Sequence, residues 1–80
     1  MILKIAAYGI ARDILGANNI QYEVNDGVNT SELLTKLKTD YPDFQQLNSL
    51  LMAVNTEYAK PDQVIAESDE VVLIPPVSGG

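Results

Sequence analysis

Eighty residues carrying five basic and eleven acidic side chains, a formal net charge of −6, describe one small domain. With neither Cys nor His, the chain has no thiol nucleophile, no disulfide, no ordinary Cys/His zinc site and no side chain that titrates near neutrality when unperturbed. The acidic balance and the lack of a basic cluster speak against nucleic acid, no apolar run approaches the roughly 18 residues of a membrane span, and MILKIAAYGIARD does not read as a signal peptide, so a cytoplasmic protein is expected.

The residues MILKIAAY alternate as a first strand, with Leu3, Ile5 and Ala7 on one face and Ile2, Lys4, Ala6 and Tyr8 on the other. GIARDILG predicts a helix of one or two turns, with Ile14 and Leu15 on its apolar side and Gly16 closing it. IQYEVN alternates again, Ile20, Tyr22 and Val24 against Gln21, Glu23 and Asn25, and Asp26-Gly27 marks a turn.

The spacing predicts the main helix over Thr30–Tyr41. Asn29 and Glu32 have the separation of a capping box, and Val28 and Leu33 that of a hydrophobic staple. Leu33, Leu34, Leu37 and Tyr41 form one apolar stripe, Lys36 and Lys38 suit the negative end of the helix dipole, and Pro42 stops the helix. FQQLNSL predicts a short helical turn. LMAVN follows as a third strand, with a turn at Asn55-Thr56 and a short fourth strand around Tyr58. After a turn at Ser68-Asp69-Glu70, the run Val71–Ile74 is apolar on both faces, as in a central strand. The first and last strands are the most apolar. Placed side by side and parallel, they give a mixed sheet wrapped over one main helix, an α+β fold of the β-grasp type.

Beyond that strand come Pro75, Pro76, Val77, Ser78, Gly79 and Gly80. At average glycine usage a Gly-Gly ending is roughly a 0.5% coincidence. The prolines hold φ at about −65° and offer no N–H, so they lead out of the sheet as a stiff, extended segment. Glycines, with no Cβ, can thread a channel too narrow for other residues. The functional group at the tip is the Gly80 carboxylate. A carboxylate is a poor electrophile and must be activated, typically as a mixed anhydride with a nucleotide. The chain has no glycine-rich phosphate cradle of its own. The expectation is one domain over residues 1–80, with 75–80 as a protruding tail whose terminal glycine is activated by another enzyme.

Four stretches, YGIARDILG, LLTKLKTDYP, MAVNTEYA and DEVVLIPPVSGG, carry a resemblance that spans the whole chain. It resembles the small subunits of molybdopterin synthase, which are ubiquitin-like sulfur carriers. The resemblance implies that Gly80 is adenylated by a ubiquitin-activating-type enzyme, converted to a thiocarboxylate, and used to deliver sulfur to a cyclic pterin precursor in the large subunit. Pro75, Pro76, Val77, Ser78 and Gly79 would be the arm that enters both partners. It implies no catalytic side chain, metal or cofactor in the chain itself, ATP being bound by the adenylating partner. The family often has Gly in the turn before the last strand, where this chain has Ser68. A carrier for another product, such as the thiazole of thiamine, and a modifier joined to target lysines are the competing readings.

Other residues leave two readings open. Arg12 pairs with a partner carboxylate or is solvated. Asp69-Glu70 form a cation site or, more commonly for two acids at a turn, a solvated one. Tyr8, Phe44 and Tyr58 belong to an exposed apolar patch or to the core.

Overall fold

The computed structural model describes residues 1–47 and 49–76. Strand β1 (Ile2–Ala7) leads into helix α1 (Gly9–Leu15), strand β2 (Asn19–Glu23) and helix α2 (Thr30–Asp40). A 3-10 helix (Pro42–Gln46) and strands β3 (Leu51–Val54), β4 (Glu57–Tyr58) and β5 (Glu70–Ile74) complete the order. The five strands form one mixed sheet, β2-β1-β5-β3-β4. β5 lies at its centre, parallel to β1 and antiparallel to β3. This is the β-grasp arrangement expected from the pattern of apolar runs.

Alternation in β1 buries Leu3, Ile5 and Ala7 completely. Val71 and Leu73 of β5 and Met52 and Val54 of β3 join them, and α2 adds Leu33 and Leu37. Leu34 and Tyr41, expected in the same stripe, are half-buried at its margin. In α1 the buried pair is Ala11 and Leu15, with Ile14 only partly covered. Phe44, carried by the 3-10 helix, is a core residue packed edge-on against Tyr41 with ring centroids 6.1 Å apart.

Helix α2 begins with the reciprocal pair expected of a capping box. Glu32 N–H donates to Asn29 Oδ1 at 2.8 Å, and Asn29 N–H donates to Glu32 Oε1 at 3.0 Å. A helix start leaves four N–H groups without partners inside the helix. Here the segment between β4 and β5 supplies two acceptors: Thr30 N–H donates to Gln63 C=O at 2.9 Å and Ser31 N–H to Pro61 C=O at 3.0 Å. Ile65 N–H donates to Val28 C=O at 2.9 Å, and the Ile65 side chain is buried. This strap over the helix start has no regular period, and the sequence pattern did not reveal it. The other end of α2 is tied to β2. The Tyr22 hydroxyl donates to the Asp40 carboxylate, Lys36 Nζ lies 3.2 Å from the same carboxylate, and Lys36 also sits 5.1 Å from the Tyr22 ring centre.

The helix ends one residue before Tyr41, which takes an extended φ of −127° ahead of Pro42. Past that one extended residue the chain resumes helical geometry as the 3-10 helix. Between β3 and β4 the two turn residues Asn55 and Thr56 both have positive φ, 52° and 72°. That is the handedness a two-residue hairpin needs to match strand twist.

Candidate functional site

Both helices cover the same side of the sheet, where the core lies. The run Val71–Ile74 did read correctly as a central strand, but only one of its faces is covered. Val71 and Leu73 are buried, whereas Val72 and Ile74 are half-exposed on the opposite side. Register extends that open face across the sheet. Ala6 and Ala53 flank Val72, Leu51 lies beside Ile74, and Tyr58 lies beside Ala53. Leu51 is 50% exposed and Tyr58 70%. Tyr8, just past the end of β1, is also exposed and borders the face. Of the three aromatic residues left open by the sequence, Tyr8 and Tyr58 therefore belong to the surface and Phe44 to the core. Leu51, Val72 and Ile74 were not singled out. For Val72 and Ile74 the signal was four consecutive apolar residues in a sheet with a single long helix to cover it.

The open face is polarised along β5. Its first residue, Glu70, lies opposite Lys4. Around that end, a shallow depression of about 460 Å³ is lined in part by Lys4, Glu67, Asp69 and Glu70. The far end of β5 is apolar, with Ile74 beside Leu51. A contiguous apolar patch with an acidic border is the usual signature of a protein-binding surface. A larger depression, about 900 Å³, opens by the start of β1 and involves Glu23, Asp26, Glu32 and Lys36. It lies at the opposite end of β1 from the last residues of β5.

The chain leaves the sheet at the apolar end. Pro75 and Pro76 directly follow Ile74 and are half-buried. A carbon placed on Gly9 as a side chain would lie 3.9 Å from Pro75 Cγ. Val77, Ser78, Gly79 and Gly80, also expected in the functional tail, lie outside the described residues.

Two candidates remain, Asp69-Glu70 and Arg12. Asp69 is part of a turn network: its carboxylate accepts from Ala66 N–H at 2.8 Å and from Asn55 Nδ2 at 2.9 Å, while Asn55 Oδ1 accepts from Glu70 N–H at 2.9 Å. The Ala66 amide, and then Asn55, hold the Asp69 carboxyl below the usual carboxylate range. Among the described residues no group of three acidic side chains is placed to hold a metal ion. Arg12 lies 3.7 Å from its neighbour Asp13 at a well-exposed position, and such pairs contribute little to stability. No helix among the described residues is long and apolar enough to cross a membrane.

Comparisons with known proteins agree with this picture. Residues 7–80 match the ThiS family. The chain is 38% identical to the molybdopterin synthase sulfur carrier subunit of Dictyostelium discoideum, over 96% of this chain and 94% of that protein. It is 31% identical to the subunit of the same name in Chlamydomonas reinhardtii, with both chains fully covered. Among solved structures, SAMP1 from Haloferax volcanii superposes with a TM-score of 0.81 at 20% identity, both chains fully covered. A complex of subunits 1 and 2 of the molybdopterin-converting factor from Helicobacter pylori includes a chain that matches with a TM-score of 0.66 at 22% identity, again over all of both chains.

Proposed function

The chain belongs to the ThiS family, and from that premise we propose that it carries sulfur on Gly80 as the small subunit of a molybdopterin synthase, in the cytoplasm. Relatives at 31% and 38% identity bear the name of that sulfur carrier subunit over nearly their whole length. In this reading a ubiquitin-activating-type enzyme binds ATP and joins the Gly80 carboxylate to AMP, releasing pyrophosphate. Sulfur at the oxidation level of hydrosulfide then displaces AMP and leaves a thiocarboxylate. The large subunit holds the cyclic pterin precursor and receives the arm; the thiocarboxylate sulfur bonds to the precursor, water cleaves the acyl–sulfur bond, and Gly80 returns to a carboxylate.

The observation that carries the reading is where β5 ends. The central strand of the sheet, paired with β1 on one side and β3 on the other, delivers Pro75 and Pro76 at the apolar end of the open face. A partner seated on that face would cover Leu51, Ile74 and Tyr58 and meet the chain where it departs. The acidic end of the same face would set the partner's orientation through basic groups, acting mainly on encounter and register. The chain itself brings neither Cys nor His. Its part is presentation, and the partners supply activation and catalysis.

The test is intact mass after incubation with a ubiquitin-activating-type adenylating enzyme, ATP and a sulfur source. The expected change is the exchange of one oxygen for sulfur, confined to a C-terminal peptide. An unchanged mass, with isopeptide-linked conjugates on a denaturing gel, would instead establish a protein modifier.

A further inference from the structure

We propose that Gly9 is the seat on which Pro75 rests, and that this seat sets the direction in which the chain leaves the sheet. The parallel ladder between β1 and β5 ends at Ala7 opposite Leu73. Two residues past that point the first segment has turned into α1 at Gly9, and the last has reached Pro75, which has no N–H with which to extend the ladder. The two lie close there: a side-chain carbon on Gly9 would stand 3.9 Å from Pro75 Cγ, ordinary van der Waals distance. A methyl group would just touch the ring, and a β-branched side chain adds two further carbons beside it.

Backbone conformation supports the same assignment. Gly9 has φ +57°, a region that residues with a Cβ enter only at a cost. Gly16 and Gly27 also have positive φ, yet a side-chain carbon on either would meet nothing within 4 Å. For those two, conformation alone accounts for glycine. Gly9 alone among the described glycines combines positive φ with another part of the chain close to the place its side chain would take. The half-buried state of Pro75 and Pro76 shows that the departing chain rests on the domain at this corner. Tyr8 and Ile10, on either side of Gly9, are 62% and 45% exposed, so a partner approaching the corner meets apolar surface there. Gly9 touches no reacting atom. It is a positioning residue that acts through Pro75.

The consequence for transfer rests on the sulfur-carrier reading, whereas the seat itself does not, and the experiment separates them. In the full chain, nuclear Overhauser contacts are measured between the Gly9 Hα protons and the Pro75 ring, and their absence overturns the seat. Gly9→Val is then compared with Gly27→Val, which imposes a similar backbone strain at a site with open space around it. Each is prepared as the thiocarboxylate and mixed with the large subunit and the pterin precursor for a single turnover, and complex affinity is measured in parallel. Gly9→Val is expected to slow transfer on the order of 100-fold, the cost of displacing a reacting group by about 1 Å, while Kd moves by less than about threefold. Gly27→Val changes neither. Pro75→Ala, which puts no strain on residue 9, also slows transfer. If a valine variant fails to fold, Gly9→Asn and Gly27→Asn replace the pair, since Asn tolerates the left-handed region. Equal transfer rates in the residue 9 and residue 27 variants overturn the positioning role. If the wild-type thiocarboxylate transfers nothing, the carrier reading has failed, and the Overhauser contacts alone decide the seat.

Discussion

Two leucines distinguish what folds this domain from what it offers to partners. Leu37 on α2 is fully buried, whereas Leu51 on β3 is 50% exposed on the open face. Leu37→Ala removes side-chain atoms from a closed core and should cost about 2–5 kcal/mol, the range for such truncations. A domain of this length has a total stability of roughly 4–12 kcal/mol, so that loss is a large share of the whole. Leu51→Ala removes atoms of which about half already meet water. Fully burying a leucine is worth about 1.5–3 kcal/mol, so covering the exposed half on docking should contribute about 1 kcal/mol, or roughly fivefold in Kd. Urea titrations give the stability of each variant, and calorimetry with the large subunit gives the affinity. Leu37→Ala should shift the urea midpoint strongly and leave the affinity of the folded fraction unchanged. Leu51→Ala should do the opposite, weakening binding more than folding. A Leu37→Ala cost under about 0.5 kcal/mol, the scale of ordinary surface changes, would refute the assigned core. Unchanged affinity in Leu51→Ala would refute the open face as the docking surface.

Other expectations follow from single features of the structure. Thr56 is β-branched yet has φ +72°; replacing it with Gly relieves a penalty of roughly 1–2 kcal/mol against roughly 0.5–1 for glycine's added flexibility, so Thr56→Gly should raise Tm, and a lower Tm would contradict this account of the hairpin. Asp69, held down by the Ala66 amide and Asn55, and Asp40, held down by the Tyr22 hydroxyl and Lys36, both have lowered folded-state pKa values. Their contribution is fully present above the unfolded value of about 3.9 and is lost as pH falls through the folded one, so Asp69→Asn should flatten the acid limb of a stability profile below about pH 4; an acid limb identical to wild type would rule out that role. Gly79→Val keeps the Gly80 carboxylate and should leave thermal stability unchanged while slowing single-turnover transfer on the order of 100-fold; normal turnover would show that the arm is not confined in a narrow channel.

Much of this was written in local patterns. Alternation in β1 and the capping pair Asn29–Glu32 placed the first strand and the start of α2, because period and cap chemistry act within a few residues. The apolar run Val71–Ile74 placed β5 at the centre. The same run was ambiguous about its second face, since four apolar residues in a row do not say which neighbours cover them. The strap over residues 60–66 was not legible at all. Its role is to accept hydrogen bonds from Thr30 and Ser31 through backbone carbonyls, and carbonyls carry no side-chain signature. Gly9 was hidden for a similar reason. A glycine beside a strand end looks like any turn, and only the folded chain brings it near Pro75.

The central claim is that sulfur travels on Gly80. The most direct measurement mixes the isolated thiocarboxylate form with the large subunit and the cyclic pterin precursor, and follows carrier mass and product sulfur together. The account predicts that each sulfur gained by the product is matched by one carrier returning from thiocarboxylate to carboxylate. Product sulfur appearing while the carrier keeps its thiocarboxylate, or no transfer at all, would contradict it.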